Sequence, residues 1–460
     1  MKNYRKLIGV AAFTGLMAFT ACERVLDILP PLDLATEAAL TTTAGLEAAL
    51  IGSYAPDGGL ASGALVIGNC QRVGEIWADN VIAANPGFGE LQIINRTLNF
   101  FNDQGRGIWE GGYRLINRVN NVIDAVDGGK VSDAAFAANK DRIKGEALFI
   151  RGWVQFELVR YFAQPWGFSA NNSQLGIVLR DKPTVGSAGA VRARATVAET
   201  YTRIINDLQQ AEQLLPAENR NAWRSNKAAA AALLARVYFQ QNDFTNAAAA
   251  ASRVVSTNKF SLTDTPRGVF DNNTNTETVF GFVSNSQQDA SGALFGSYNQ
   301  KDNEPPYLLD PDSPVVKILF PATGSSGDKR DTLFAKRDGQ FYVAKYDRQF
   351  MSIPAIRYAE ILLIRAEAVA ATNTTQALAD VNLVRRRAGL SALTGLSGAP
   401  LVQAIQRERL IELAAEGNRF HELKRLQQNI RTTRWNAATL IFKIPDVEVS
   451  ANTLIEQNPD

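Results

Sequence analysis

Apolar residues recur at three- and four-residue steps along most of this chain, as a helix with one buried face requires. Such stretches run over residues 109–123, 144–162, 196–216, 228–258 and 356–425. In the last of them the spaced positions are Ile361, Ile364 and Ala368, then Leu378, Val381 and Val384, then Leu410 and Leu413. Thr375 is placed to cap the middle helix of that group, and Gly389 to close it in a left-handed conformation. The 196–216 helix opens on Thr196 with Glu199 three residues on, a capping box. The 144–162 helix stops before Pro165. Periodicity fails over 263–356, which holds seven of the 17 prolines with polar and Gly/Ser stretches between them. Strand-like pieces at 278–283 and 340–343 lie inside it, so a continuous helix array is impossible there. The pattern predicts a mainly helical, all-α fold carrying an irregular, loop-rich insertion with short strands.

Residues 228–258 read as a helical hairpin. Eleven of the 24 residues from Ala228 to Ala251 are alanine, which favours helix and lets two helices approach closely. Asn242 and Asp243 supply the turn. Leu234, Ala235, Tyr238, Ala247 and Ala251 fall where a tetratricopeptide repeat places its packing residues, which the hairpin therefore resembles.

The N-terminus adds a topological expectation. Lys2, Arg5 and Lys6 precede an apolar run from Leu7 to Ala18 that is too short to span a bilayer comfortably, and the run ends in Phe19-Thr20-Ala21-Cys22. This resembles a bacterial lipoprotein signal, with residues 1–21 removed and Cys22 acylated. Acyl chains contribute roughly 0.8 kcal/mol per buried methylene, and more than one is needed for stable anchoring. Without that segment the net charge changes from +2 to 2 − 3 = −1, so the surface offers no electrostatic footprint for nucleic acid. Arg385-Arg386-Arg387 is expected to be a solvated last helical turn. Cys70 has no partner for a disulfide once Cys22 is lipidated.

Catalytic chemistry finds little to stand on. The sole histidine, His421, precedes Glu422, but position 425 is Arg, so no H-E-x-x-H zinc site exists and no metal or cofactor is expected. His421 is expected to be solvated or hydrogen-bonded in a charge-laced helix. Gly324-Ser325-Ser326-Gly327 is one residue short of a nucleophile elbow. Glu408, Glu412 and Glu416 share a helix face, but Arg407, Arg409 and Arg419 nearby would depress their carboxyl groups, whereas a glycosidase acid needs the opposite.

The order of residues from 356 to 425 resembles the hallmark of the SusD/RagB family of Bacteroidota outer-membrane lipoproteins. The matching positions are Arg357-Tyr358-Ala359-Glu360, Leu362-Leu363, Ala366-Glu367-Ala368, Asn382, Arg385, Arg387-Ala388-Gly389, Glu408-Arg409, Glu412-Leu413, Glu416-Gly417 and Arg419-Phe420. Upstream, Trp109, Tyr113, Ile116-Asn117 and Asn120 fit the family's W-x3-Y-x2-I-N-x2-N, and Gly145-Glu146-Ala147 onward fits its G-E-A-x-F-x-R-A, with Gly152 for the usual Ala. Phe442-Lys443-Ile444-Pro445 and Asn458-Pro459 resemble its closing motif.

The resemblance implies a SusD-like fold of degenerate tetratricopeptide-like hairpins in one domain, 22–460, divided into 22–262, the insertion 263–356 and the closing helices 357–460. It also implies a lipid-anchored protein on the outer face of the outer membrane. Such a protein captures an oligosaccharide, or alternatively a peptide, and delivers it to a SusC-like TonB-dependent transporter without acting as an enzyme. A passive tetratricopeptide scaffold and a lipid-anchored glycoside hydrolase are the competing readings. Sugar capture needs flat rings beside amides and carboxylates. Trp77, Asp79, Asn80 and Phe88 near the N-terminus, and Tyr298, Asn299 and Tyr307 in the insertion, are the candidates by composition.

Overall fold

The computed structural model describes residues 39–184, 186, 191–219, 223–271, 275–299 and 304–460. The signal segment and Cys22 lie outside the described residues. Among those described, sixteen α-helices and six short strands occur. The helices form an array in which sequence neighbours pack side by side: Asp103–Asp127, Phe136–Phe162, Val197–Leu214, Lys227–Gln240 and Phe244–Val255. The chain then leaves the array and returns at Tyr358–Val369, which packs directly against Phe244–Val255. Helices Thr374–Arg387 and Gly398–Glu412 follow, closing a second, smaller core around Leu362, Leu363, Val381, Val384 and Leu401.

Local chemistry explains the joints. The alanine-rich helix starts at an Asn226 cap, whose side chain accepts from the Ala229 N–H, and ends before Asn242 at φ 58°. Asp243 then caps the next helix through the Asn246 N–H, so the expected turn is present. Leu234, Ala235, Ala247 and Ala251 are fully buried at the contact between the two helices. Thr196 and Glu199 form the expected capping box. Helix Thr374–Arg387 is capped by Asn373 rather than Thr375, because Asn373 already offers its side-chain oxygen to the Gln376 N–H. Gly389 does adopt the left-handed conformation, at φ 78°. At Gly152 an added Cβ would lie 2.9 Å from Leu208, which is why this position in the helix contact carries no side chain.

The insertion is pinned at its base. Strand β2 (Thr278–Phe282) pairs antiparallel with β6 (Ile353–Arg357), with Thr278 opposite Arg357 and Phe282 opposite Ile353. Its second sheet has the order β1-β3-β5-β4 and draws β1 (Val81–Ala83) from the N-terminal part of the chain, against β3 (Tyr307–Leu309). Strands β5 (Gln340–Val343) and β4 (Phe334–Arg337) complete it. The insertion therefore shares a sheet with residues far from it in sequence.

Candidate functional site

The segment after helix Asn69–Ile76 carries four of the expected ligand contacts, and the structure sends them to different places. Trp77 is fully buried, lying flat on Phe420 at 4.7 Å with a 2° interplanar angle and tilted against Phe442 at 4.7 Å. A ring so covered has no face to offer a sugar. Asp79 is held by Arg419 in a bidentate pair at 2.7 and 2.8 Å. Asn80 is buried, and its backbone carbonyl accepts from the Asp310 N–H. Phe88 alone is open, at 78% exposure.

The insertion's candidates are also interior. Tyr298 and Tyr307 are buried with ring centroids 5.7 Å apart, Tyr298 touches Tyr346 at 5.7 Å, and Asn299 is buried beside them. These rings serve the core between the insertion and the helices. Their hydroxyls, pushed up by burial, stay protonated, and that of Tyr307 donates to Glu90.

Two further exposed rings stand on the segment that is tied to the helix of Phe88. Helix Phe88–Asn95 begins where the Gly87 N–H donates to Glu90 Oε2 at 3.0 Å. It ends at Arg96, whose guanidinium donates to the carbonyls of Ile93 and Trp77. Asn102 Nδ2 donates to the Gly89 carbonyl at 2.9 Å, while its Oδ1 caps helix Asp103–Asp127 through the Gly105 N–H. Phe88 and Phe101 each stand one residue before an end of that tie. Phe101 is 64% exposed and its neighbour Phe100 43%, with their centroids 4.5 Å apart. Leu91 and Ile94 extend the apolar face, and Asn99, Asp103 and Gln104 stand among these rings along the chain. Composition singled out Phe88 and passed over Phe100 and Phe101, which the structure also leaves exposed. The available signal was two adjacent phenylalanines in a nonperiodic run, Leu98-Asn99-Phe100-Phe101-Asn102.

The carboxylates of the closing helices sit in a buried ion cluster. Arg357 donates to Glu277 at 2.7 Å, to Glu412 at 2.9 Å and to Glu416 at 2.8 Å. Arg387 bridges Glu277 and Glu412 at 3.0 and 2.6 Å, and Arg330 reaches Glu408 at 2.7 Å. Arg385 pairs with Glu408, and Lys345 with Glu416. Burial pushes Glu412 up, but the Arg387, Arg357 and Arg330 guanidiniums outweigh it and hold the carboxyl well below its usual range. Glu416 is lowered in the same way by Arg357 and Lys345.

Three expectations are corrected here. Partners come from far along the chain, since Arg409 turns to Glu422 and Arg419 to Asp79. Arg387 is not a solvated last-turn residue but a buried ligand of two glutamates. His421 is likewise buried, edge-on to Tyr161 at 4.8 Å, with burial and then Arg160 holding its pKa well below the ordinary histidine value. Cys70 is a free, buried thiol whose pKa burial raises.

A SusD-like family model described as starch-binding associating with outer membrane matches residues 71–239, and a second, described as SusD family, matches 333–440. SusD-like protein P2 of Formosa agariphila is 26% identical over 93% of this chain and 91% of its own. Among solved structures, a SusD-like carbohydrate binding protein from Bacteroides vulgatus superposes with a TM-score of 0.76 at 21% identity, covering 90% of this chain and 97% of the other. A laminarin binding SusD-like protein gives 0.72 at 20% identity, covering 91% and 99%. Together with the motifs at both ends and the helical array that carries them, these matches show that the chain belongs to the SusD/RagB family.

Proposed function

We propose that this protein is a lipid-anchored capture protein on the outside of the outer membrane, binding an oligosaccharide on the face formed by Phe88, Phe100 and Phe101. The observation that carries the reading is that face: three exposed rings on two anchored segments, interspersed along the chain with an amide, a carboxylate and a second amide. Ring faces stack on pyranose C–H groups, and Asn99, Asp103 and Gln104 are suited to take the hydroxyls. The names of the solved relatives, carbohydrate binding and laminarin binding, support sugar over peptide. No helix among the described residues is long and apolar enough to cross a membrane, so captured cargo needs a transporter, and a SusC-like TonB-dependent barrel is the partner we infer. A stable lid on that barrel needs an interface above ~1,000 Å². Affinity of roughly micromolar to millimolar would suffice if closure traps the cargo.

Titration calorimetry with starch and laminarin oligosaccharides tests the site. The double variant Phe88→Ala, Phe101→Ala should bind about tenfold or more weakly with an unchanged melting temperature. Undiminished binding by that folded variant would refute the assignment. Affinity purification from native outer membranes tests delivery, which fails if no TonB-dependent transporter accompanies the protein in mild detergent.

A further inference from the structure

A second recess lies away from those rings, between the end of helix Thr43–Tyr54, Trp223 and the turn that follows β2. Its volume is 150 Å³, where one water molecule needs only ~10–15 Å³. The floor is apolar: Tyr54 and Phe282 are buried beneath it, and Val283 stands 41% exposed at its edge. No charged side chain lines it among the described residues.

Trp223 is the wall, and its ring is packed by its neighbours. Tyr54 meets its ring edge-on at 5.7 Å and 76°, and Tyr54 is itself fixed by a 2.8 Å hydrogen bond between its hydroxyl and that of Ser225. The Arg224 guanidinium lies 5.6 Å from the indole centroid, locked by Glu146 at 2.7 Å and Glu47 at 2.5 Å. The opposite lip is a closed turn. The Asn285 N–H donates to the Gln288 carbonyl at 3.0 Å, and Asn285 Oδ1 accepts from the N–H groups of Gln287 and Gln288. That turn leaves the Gln288 side-chain amide exposed at the rim.

A fixed indole, an apolar floor and amides at the mouth, with no charge, make a receptor for one uncharged ring that is apolar on its faces and hydroxylated at its edge. The geometry points to a second carbohydrate subsite, at Trp223 and Gln288, that takes a single neutral pyranose. The inference rests on the capture reading and adds a site to it. An anionic sugar would find no cation within the recess, and a longer chain would have to leave through its mouth.

The test uses crystals of the full chain soaked with maltohexaose or with laminarihexaose, and titrations in solution with the same two sugars. A pyranose seated against the Trp223 ring is expected. In solution, Trp223→Ala and Gln288→Ala should each remove one binding event, with the residual event still weakened about tenfold or more by Phe88→Ala, Phe101→Ala. Gln288 is an exposed turn residue, so its variant keeps the test valid should Trp223→Ala fold poorly. Sugar at the Phe88 face but not at Trp223 would overturn this inference and leave the capture site standing. Sugar at neither place would overturn both.

Discussion

Replacing Glu75 by glutamine should stabilise this protein above neutral pH and do almost nothing in acid. Glu75 is fully buried in helix Asn69–Ile76; its Oε1 accepts from the Gly417 N–H at 2.8 Å, while Oε2 has no hydrogen-bond partner among the described residues. Burial pushes its carboxyl up to about 7 from an ordinary 4.5, against the Gly417 N–H and the Lys345 ammonium, which pull it down; nearby Asp79 adds to the rise. Below pH ~4.5 the carboxyl is protonated in both folded and unfolded chains and contributes no pH dependence. Between ~4.5 and ~7 the folded chain holds a proton that the unfolded chain has lost, so stability falls as pH rises. Above ~7 the whole penalty is present. A difference of about 2.5 pH units at 1.36 kcal/mol each makes it about 3 kcal/mol. Glutamine keeps the acceptor for Gly417, places an uncharged amide at the vacant oxygen and carries no such penalty. Urea denaturation of Glu75→Gln and the parent at pH 4 and pH 8 should show a gap of well under 1 kcal/mol at the first and about 3 kcal/mol at the second. A gap that does not widen with pH, or a variant less stable at pH 8, would refute the reasoning.

Arg357→Met should cost about 3–5 kcal/mol in the same assay, because it strands Glu277, Glu412 and Glu416 without their shared cation; a loss below 1 kcal/mol would mean that the cluster rearranges around Arg387 and Lys345. Gly417→Ala should destabilise by about 2 kcal/mol or more, since φ is 80° and the new Cβ would lie 2.7 Å from the Gln71 Cα; a melting curve superimposable on the parent's would contradict the close approach. Cys22→Ser should move the protein from the membrane pellet to the soluble fraction, and retention at the parental level would exclude acylation at that residue.

The helical scaffold was legible because each array helix writes its own period, caps and stops within its own 12 to 27 residues. Thr196 with Glu199, and Asn242 with Asp243, are local instructions that no distant contact overrides. The cap at Asn373 was misassigned by two residues because Asn373, Thr374 and Thr375 are all competent caps and their order does not rank them. Charge pairing was not legible. Arg387 meets Glu277 across 110 positions of sequence, whereas sequence reasoning can only pair neighbours. Ring exposure was equally hidden. Trp77 and Phe88 stand eleven residues apart in similar company, yet one is core and the other open, because β1 turns the chain between them. Helix Phe88–Asn95 even repeats Phe88, Leu91 and Ile94 at the spacing of a buried stripe while presenting them to solvent.

The residues that announce the family and those proposed to hold cargo therefore do different physical work. Arg357, Arg387, Glu408, Glu412 and Glu416 all belong to one buried cluster, together with Glu277, Arg330 and Lys345 from the insertion. Each charge there loses its hydration, and the attraction between partners roughly offsets that loss, so the cluster adds little to stability over an apolar core of the same shape. Its bidentate geometry does restrict how the parts can meet, because a guanidinium accepts carboxylates only in its own plane. The cluster joins β6, the start of β2 and two closing helices, and thereby fixes how the insertion sits on the array. The buried cluster includes neither the exposed rings at Phe88, Phe100 and Phe101 nor the recess at Trp223. The family hallmark consequently reports the frame and is silent about cargo, whose selection falls to the proposed sites instead.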